Sequence, residues 1–308
     1  MKKIILLCFL SAIVISCHSR QETAMVEGSV TSKLETISED ENNPFFAYNF
    51  GGLENLPPAT QIELLKDNGY DGVTLRMAKA EHVEQYMKFA EIIDKTADFK
   101  IYSVFVRYNF DDAPEDQNRW KTVVDLIQDK GIDLWFIFGK PIKGLNDEKV
   151  EGILRNVVNY SASKKVPVTL YTHSWCYFYT AEQSLPMVKK INHPNLKLAL
   201  HTCHELKAGN AGRLDEVVYN VKDYLSFITI AGAAKELDMT SRGTMDRTTI
   251  QPLEDGEYDF VPFLKALKEV NYKGPVGYIN FKFDKEPDDY LPKSLAEWKR
   301  LKNDYLKY

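Results

Sequence analysis

The sequence predicts an α/β protein folded as a single (β/α)8 barrel, the TIM-barrel architecture, and three observations predict it. Short runs of branched and aromatic residues alternate eight times with stretches whose apolar residues recur at three- and four-residue spacing. Strict alternation means parallel strands, because parallel neighbours need a crossover helix between them. Finally, the turn after the first strand, Asn49-Phe50-Gly51-Gly52, lacks the spacing of a dinucleotide-binding fingerprint, which argues against an open doubly wound sheet.

The units follow in order. Strand Phe45–Asn49 leads to helix Pro58–Asn68, with proline at its start and Gly69 as its stop. Strand Asp71–Arg76 precedes a helix over Glu81–Lys95, and strand Lys100–Arg107 precedes Pro114–Lys130, closed by Gly131. The fourth and fifth strands, Ile132–Phe138 and Val166–Thr172, carry helices Asp147–Ser163 and Ala181–Ile191. Strand Leu196–Thr202 is followed by Ala211–Tyr224, and strand Ser226–Ala231 by helix Phe260–Val270. Strand Pro275–Phe281 and helix Tyr290–Lys302 close the ring. The barrel is expected over residues 44–308.

Residues 1–17 read as an export signal. Two lysines precede an apolar run from Ile4 to Ile15, too short to span a bilayer, and Val14-Ile15-Ser16-Cys17 resembles a bacterial lipobox. Cys17 is therefore the expected lipidation site, and residues 18–43, rich in Ser, Thr, Glu and Asn, a flexible tether. The expected location is the cell envelope, facing the periplasm or the surface, with membrane contact through the lipid alone. The formal net charge is −5 and no basic stripe appears, which speaks against nucleic acid as a partner.

Barrels of this kind place reacting groups at the C-terminal ends of their strands. Three of the six histidines gather there: His173 after the fifth strand, His201 and His204 after the sixth. Imidazoles titrate near neutral pH, so the cluster suits acid–base chemistry. By strand parity His201 and Cys203 would share one face. Lys282, Arg107, Asn109 and Lys140 end other strands, where cations and amides would orient hydroxyls or stabilise an enolate oxygen. Trp175 and Tyr177 would stack on a sugar face, whereas Trp135, inside a wholly apolar strand, reads as core. The long connection Gly232–Asp259 is expected to cover the mouth, bringing Arg242, Arg247 and Gln251 to it. No cofactor is expected. A divalent metal on His173, His201 and His204 remains an alternative, as does a Cys176–Cys203 disulfide.

Several segments resemble the xylose-isomerase-like barrels of the sugar phosphate isomerase/epimerase kind. They are Leu65-Lys66-Asp67-Asn68-Gly69-Tyr70-Asp71-Gly72-Val73, Leu170-Tyr171-Thr172-His173, Cys203-His204-Glu205-Leu206-Lys207, Ile250-Gln251-Pro252-Leu253 and Tyr272-Lys273-Gly274-Pro275-Val276-Gly277. The resemblance implies a sugar-sized pocket, with His173 matching a histidine of that pocket. It also implies, in metal-dependent members, a divalent cation held by Glu, Asp, His and Glu on the fifth to eighth strands. Here those positions are Tyr171, His201, Thr229 and Ile279, a set unsuited to a hard cation. The expected activity is proton transfer next to a carbonyl on a sugar or keto-sugar, including elimination or hydration of oxidised sugars. The alternative is a tethered barrel that binds a carbohydrate or partner without catalysis.

Overall fold

The computed structural model describes residues 42–240 and 247–307. The signal with Cys17, the expected tether up to residue 41, and Arg242 lie outside the described residues, while Asn42 and Asn43 at the end of that tether are buried against the barrel domain. Eight parallel strands close into a barrel in sequence order: β1 Phe45–Tyr48, β2 Gly72–Arg76, β3 Lys100–Tyr108, β4 Asp133–Phe138, β5 Val168–Tyr171, β6 Leu196–His201, β7 Leu225–Ile230 and β8 Val276–Tyr278. Ring closure comes from β1 pairing with β8, Phe45 opposite Val276.

Helices α1 Pro58–Asn68, α2 Ala80–Ile93, α3 Pro114–Gln117, α4 Arg119–Leu126, α5 Asp147–Ser163 and α6 Ala181–Ile191 cover the first five strands. They are followed by α7 Thr202–Lys207, α8 Leu214–Val221, α9 Val261–Glu269 and α10 Pro287–Tyr305. Local chemistry sets several ends. Pro58 opens α1 and Gly69, at φ 89, closes it in the left-handed conformation that a Cβ would resist. Side-chain oxygens of Asn146 and Thr180 accept the Lys149 and Gln183 amides at the starts of α5 and α6.

Two cores result from the period-two alternation of the strands. Outward residues such as Val104, Leu134, Leu198 and Ile228 pack beneath the helices. Inward residues Phe46, Tyr48, Trp135, Ile137, Tyr171, Ala199 and Phe227 fill the barrel itself. Trp135 is fully buried there, as core.

Besides ends that shift by a few residues, such as the eighth strand at Val276–Tyr278, two elements differ from the sequence reading. The helix expected over 114–130 is broken at Asn118, whose φ of −95 and ψ of 1 leave the helical region, and its second part ends at Leu126. The sixth strand stops at His201 and runs straight into α7, where a loop was expected. The parity argument for His201 and Cys203 therefore gives way to helical spacing, which puts residue 204, three on from 201, on the same side.

Candidate active site at the barrel mouth

The ends of β5 and β6 bring four rings together. Tyr171 stacks on His201 with centroids 3.5 Å apart, and His173 lies 4.2 Å from His204. His201 and His204 are 5.8 Å apart, so the three imidazoles expected at the mouth share one cluster.

Ser174 organises two of them. The Nδ1 of His173 lies 2.8 Å from the carbonyl oxygen of Ser174, and its hydroxyl lies 2.9 Å from Nδ1 of His204. A carbonyl can only accept, so His173 Nδ1 carries a hydrogen. In the neutral ring the lone pair then belongs to Nε2. His173 is half-buried, while His201 and His204 are buried.

Burial decides the charge of the inner pair. The pKa of His204 is pushed well below the ordinary value by desolvation first, then by the charges of His173, His201, Lys207 and Arg107. That of His201 falls for the same leading reason, with His173 second. Both are neutral imidazoles at pH 7. Nδ1 of His201 meets the Thr229 hydroxyl at 2.8 Å, while its Nε2 is buried without a hydrogen-bond partner among the described residues.

Beneath them, Tyr48 donates to the Tyr171 phenol oxygen at 3.2 Å. Burial raises both phenols far above their usual range, so both stay protonated. Cys176 and Cys203 are buried thiols beside this layer, and the structure does not join them as a disulfide.

The remaining expected residues divide. Arg107 stands at the rim, its charge felt by Tyr171 and His204. Trp175 is 38% exposed beside Tyr179 at 5.7 Å, on a left-handed φ of 67. That backbone is unusual for a bulky residue, and such outliers gather at functional sites.

Lys282 is not brought to the histidines: Phe281 takes the inward position, and the ammonium of Lys282 lies over its ring, 5.1 Å from the centroid. Tyr177 donates its hydroxyl to Asp147 and sets its ring edge-on to Phe110 and Phe138. Asn109 donates to Asp112 at 2.9 Å and supports its own loop, and Lys140 is exposed. Gln251 pairs its backbone with Gly232, folding the long connection onto the end of β7, and its side chain reaches the Arg247 carbonyl. A Cβ on Gly232 would meet the Pro252 oxygen at 2.2 Å, so only glycine allows that closure.

Tyr48, Ser174, Thr229 and the buried Glu205 were not assigned site roles from sequence. Glu205 accepts the Ala181 amide at 2.8 Å and the Asn210 side chain at 2.6 Å, tying the loop of His173 to the turn of His204. Burial raises its pKa to about 7 despite those donors.

Among the described residues no three His, Cys, Asp or Glu side chains are placed to hold one ion.

The family model of the xylose isomerase-like TIM barrel matches residues 62–301. The chain belongs to that family. No curated protein matches it. Among solved structures it is similar to a D-allulose 3-epimerase from Methylomonas sp., at 15% identity and TM-score 0.65, over 84% of this chain and 98% of that one. It is also similar to the IolI protein with a zinc atom, at 18% identity and TM-score 0.66, over 85% and 98%. A third is the probable 3-DHS dehydratase AsbF from Bacillus anthracis, at 14% identity and TM-score 0.67, over 83% and 98%. Identities this low establish the shared fold.

The family's metal position can be tested on the side chains. Tyr171 accepts from Tyr48, Thr229 holds His201, and Ile279 is an aliphatic wall at 4% exposure. One imidazole, two hydroxyls and a hydrocarbon do not make a site for a hard divalent cation, which seeks carboxylate oxygens. The residues do not fit the group.

Proposed function

We propose that the protein is a sugar-transforming enzyme that moves a proton next to a carbonyl, with His173 as the base and without the family's usual metal. The carrying observation is the His173 Nδ1 to Ser174 carbonyl bond, which puts the hydrogen on Nδ1 and the lone pair of this half-buried neutral ring on Nε2. The base takes the proton from the carbon beside the carbonyl, and the electron pair moves to the carbonyl oxygen as an enolate. Delivery of a solvent proton to the other face, with His173 releasing its own to solvent, gives an epimer. Return of the proton at the neighbouring carbon, with hydroxyl proton transfer, gives the isomeric keto-sugar, and expulsion of a β-substituent gives an enone. His204, kept neutral by burial, suits hydrogen bonding to that oxygen rather than charge donation, while Arg107 supplies a positive field. A substrate that already carries a ketone suits such a site best, because no cation is needed to polarise it. The epimerase and dehydratase among the similar structures support this reading at the level of fold.

The test is deuterium uptake from D2O into a panel of aldoses, ketoses and keto-glycosides, read by mass spectrometry. Uptake into at least one ketone-bearing sugar is the expected result. Carbohydrate binding without uptake anywhere in the panel would favour a non-catalytic barrel.

We also propose the domain plan of signal over 1–17, tether over 18–43 and barrel over 44–308, anchored to the envelope through Cys17. A Cys17→Ser chain is expected to leave the membrane fraction for the soluble one. Retention in the membrane would refute the anchor.

A further inference from the structure

Arg76 and Arg107 end neighbouring strands on the inner face of the barrel. Arg76 pairs in register with Phe105, and the Phe105 ring lies 6.1 Å from Tyr48 and 6.4 Å from Tyr171 in the interior cluster. Period-two alternation turns Arg107, two residues on, to the same side.

Arginines on or next to the helices hold carboxylates: Arg119 with Asp116, Arg155 with Glu151, Arg213 with Glu182, Arg300 with Glu297. The two at the mouth have neither hydrogen bond nor ion pair with any described residue. The inward strand-end positions around them are Phe50, His173, His201, Ala231 and Phe281, and none is acidic.

Arg76 is held below its ordinary pKa by burial first and by the charge of Arg107 second. Two like charges kept side by side raise the free energy of the protein, and an oxyanion between them removes that strain.

Resting on the sugar-transforming reading above, we propose that Arg76 and Arg107 bind the carboxylate of an acidic sugar, of uronate or aldonate type, and turn its carbonyl-bearing carbons toward His173. The planar forks of two guanidinia match a carboxylate. Phosphate sites in such barrels are frequently built instead from the loops after the seventh and eighth strands.

The experiment is calorimetric titration of the full chain with D-glucuronate, D-galacturonate and D-gluconate, each against its neutral parent, with glucose 6-phosphate alongside. At least one acid is expected to bind ten-fold or more tightly than its parent, and less so at 0.5 M salt, where the Debye length falls to about 4 Å. Arg76→Gln and Arg107→Gln are each expected to erase most of that advantage, and Arg107→Lys to keep part of it. Equal binding of acid and parent, an advantage that survives both Gln variants, or tighter Arg-dependent binding of the phosphate would overturn the assignment. Deuterium uptake into an acidic sugar that is unchanged in both Gln variants would sink this proposal and leave His173 as the base. Arg-dependent binding of an acid without uptake would leave it standing and sink the catalytic reading.

Discussion

Replacing His173 by Gln is expected to lower the rate of deuterium uptake by about two to four orders of magnitude, the usual contribution of a positioned general base. The glutamine amide can still donate to the Ser174 carbonyl, now 2.8 Å from Nδ1, so the turn around it should persist. Substrate affinity should therefore change little while turnover collapses. The same change at His204 is expected to be milder, because that ring is buried, neutral and joined to Ser174 through its Nδ1. Uptake at the wild-type rate in the His173→Gln protein would place the base elsewhere.

The second large effect is on stability, at the closed end of the barrel. Asp133 is buried at the start of β4, and burial raises its pKa to about 7 even though Thr169 donates to it. Its folded pKa lies above the unfolded value, so protonation is favoured by folding. The associated stability is fully present below about pH 4 and is lost progressively as pH rises to about 7, after which it stays lost. Three units of displacement correspond to about 4 kcal/mol at most. Asp133→Asn has no such titration. Denaturant unfolding of both proteins is expected to show a stability gap that widens in favour of the variant between pH 4 and pH 7 and then levels off. A gap that does not vary with pH would mean that Asp133 ionises normally in the folded barrel.

Much of the barrel was legible because its signals are local. Branched runs such as Leu134–Phe138 and the Pro58 and Gly69 boundaries of α1 declare themselves within a few residues. The turn Thr202–Lys207 does not, since Thr, Cys and His have modest helix propensity and the segment is fixed by tertiary bonds, notably Glu205 to Ala181 and Asn210. At the site, strand-end position was enough to gather His173, His201 and His204. It could not reveal that Ser174 joins two of them, that Tyr48 on the far strand reaches Tyr171, or that Phe281 takes the inward place from Lys282. Those depend on which side chain each register turns inward, a property of strand pairing across the ring.

The central claim is that proton transfer at this mouth runs on imidazole chemistry without a divalent cation. Its most direct test is deuterium uptake into a keto-sugar by the full chain before and after exhaustive treatment with a chelator, with bound metals measured by mass spectrometry in parallel. The account expects uptake at an unchanged rate and metal far below one ion per chain. Near-stoichiometric metal, with uptake lost on chelation and restored by adding the ion back, would contradict it.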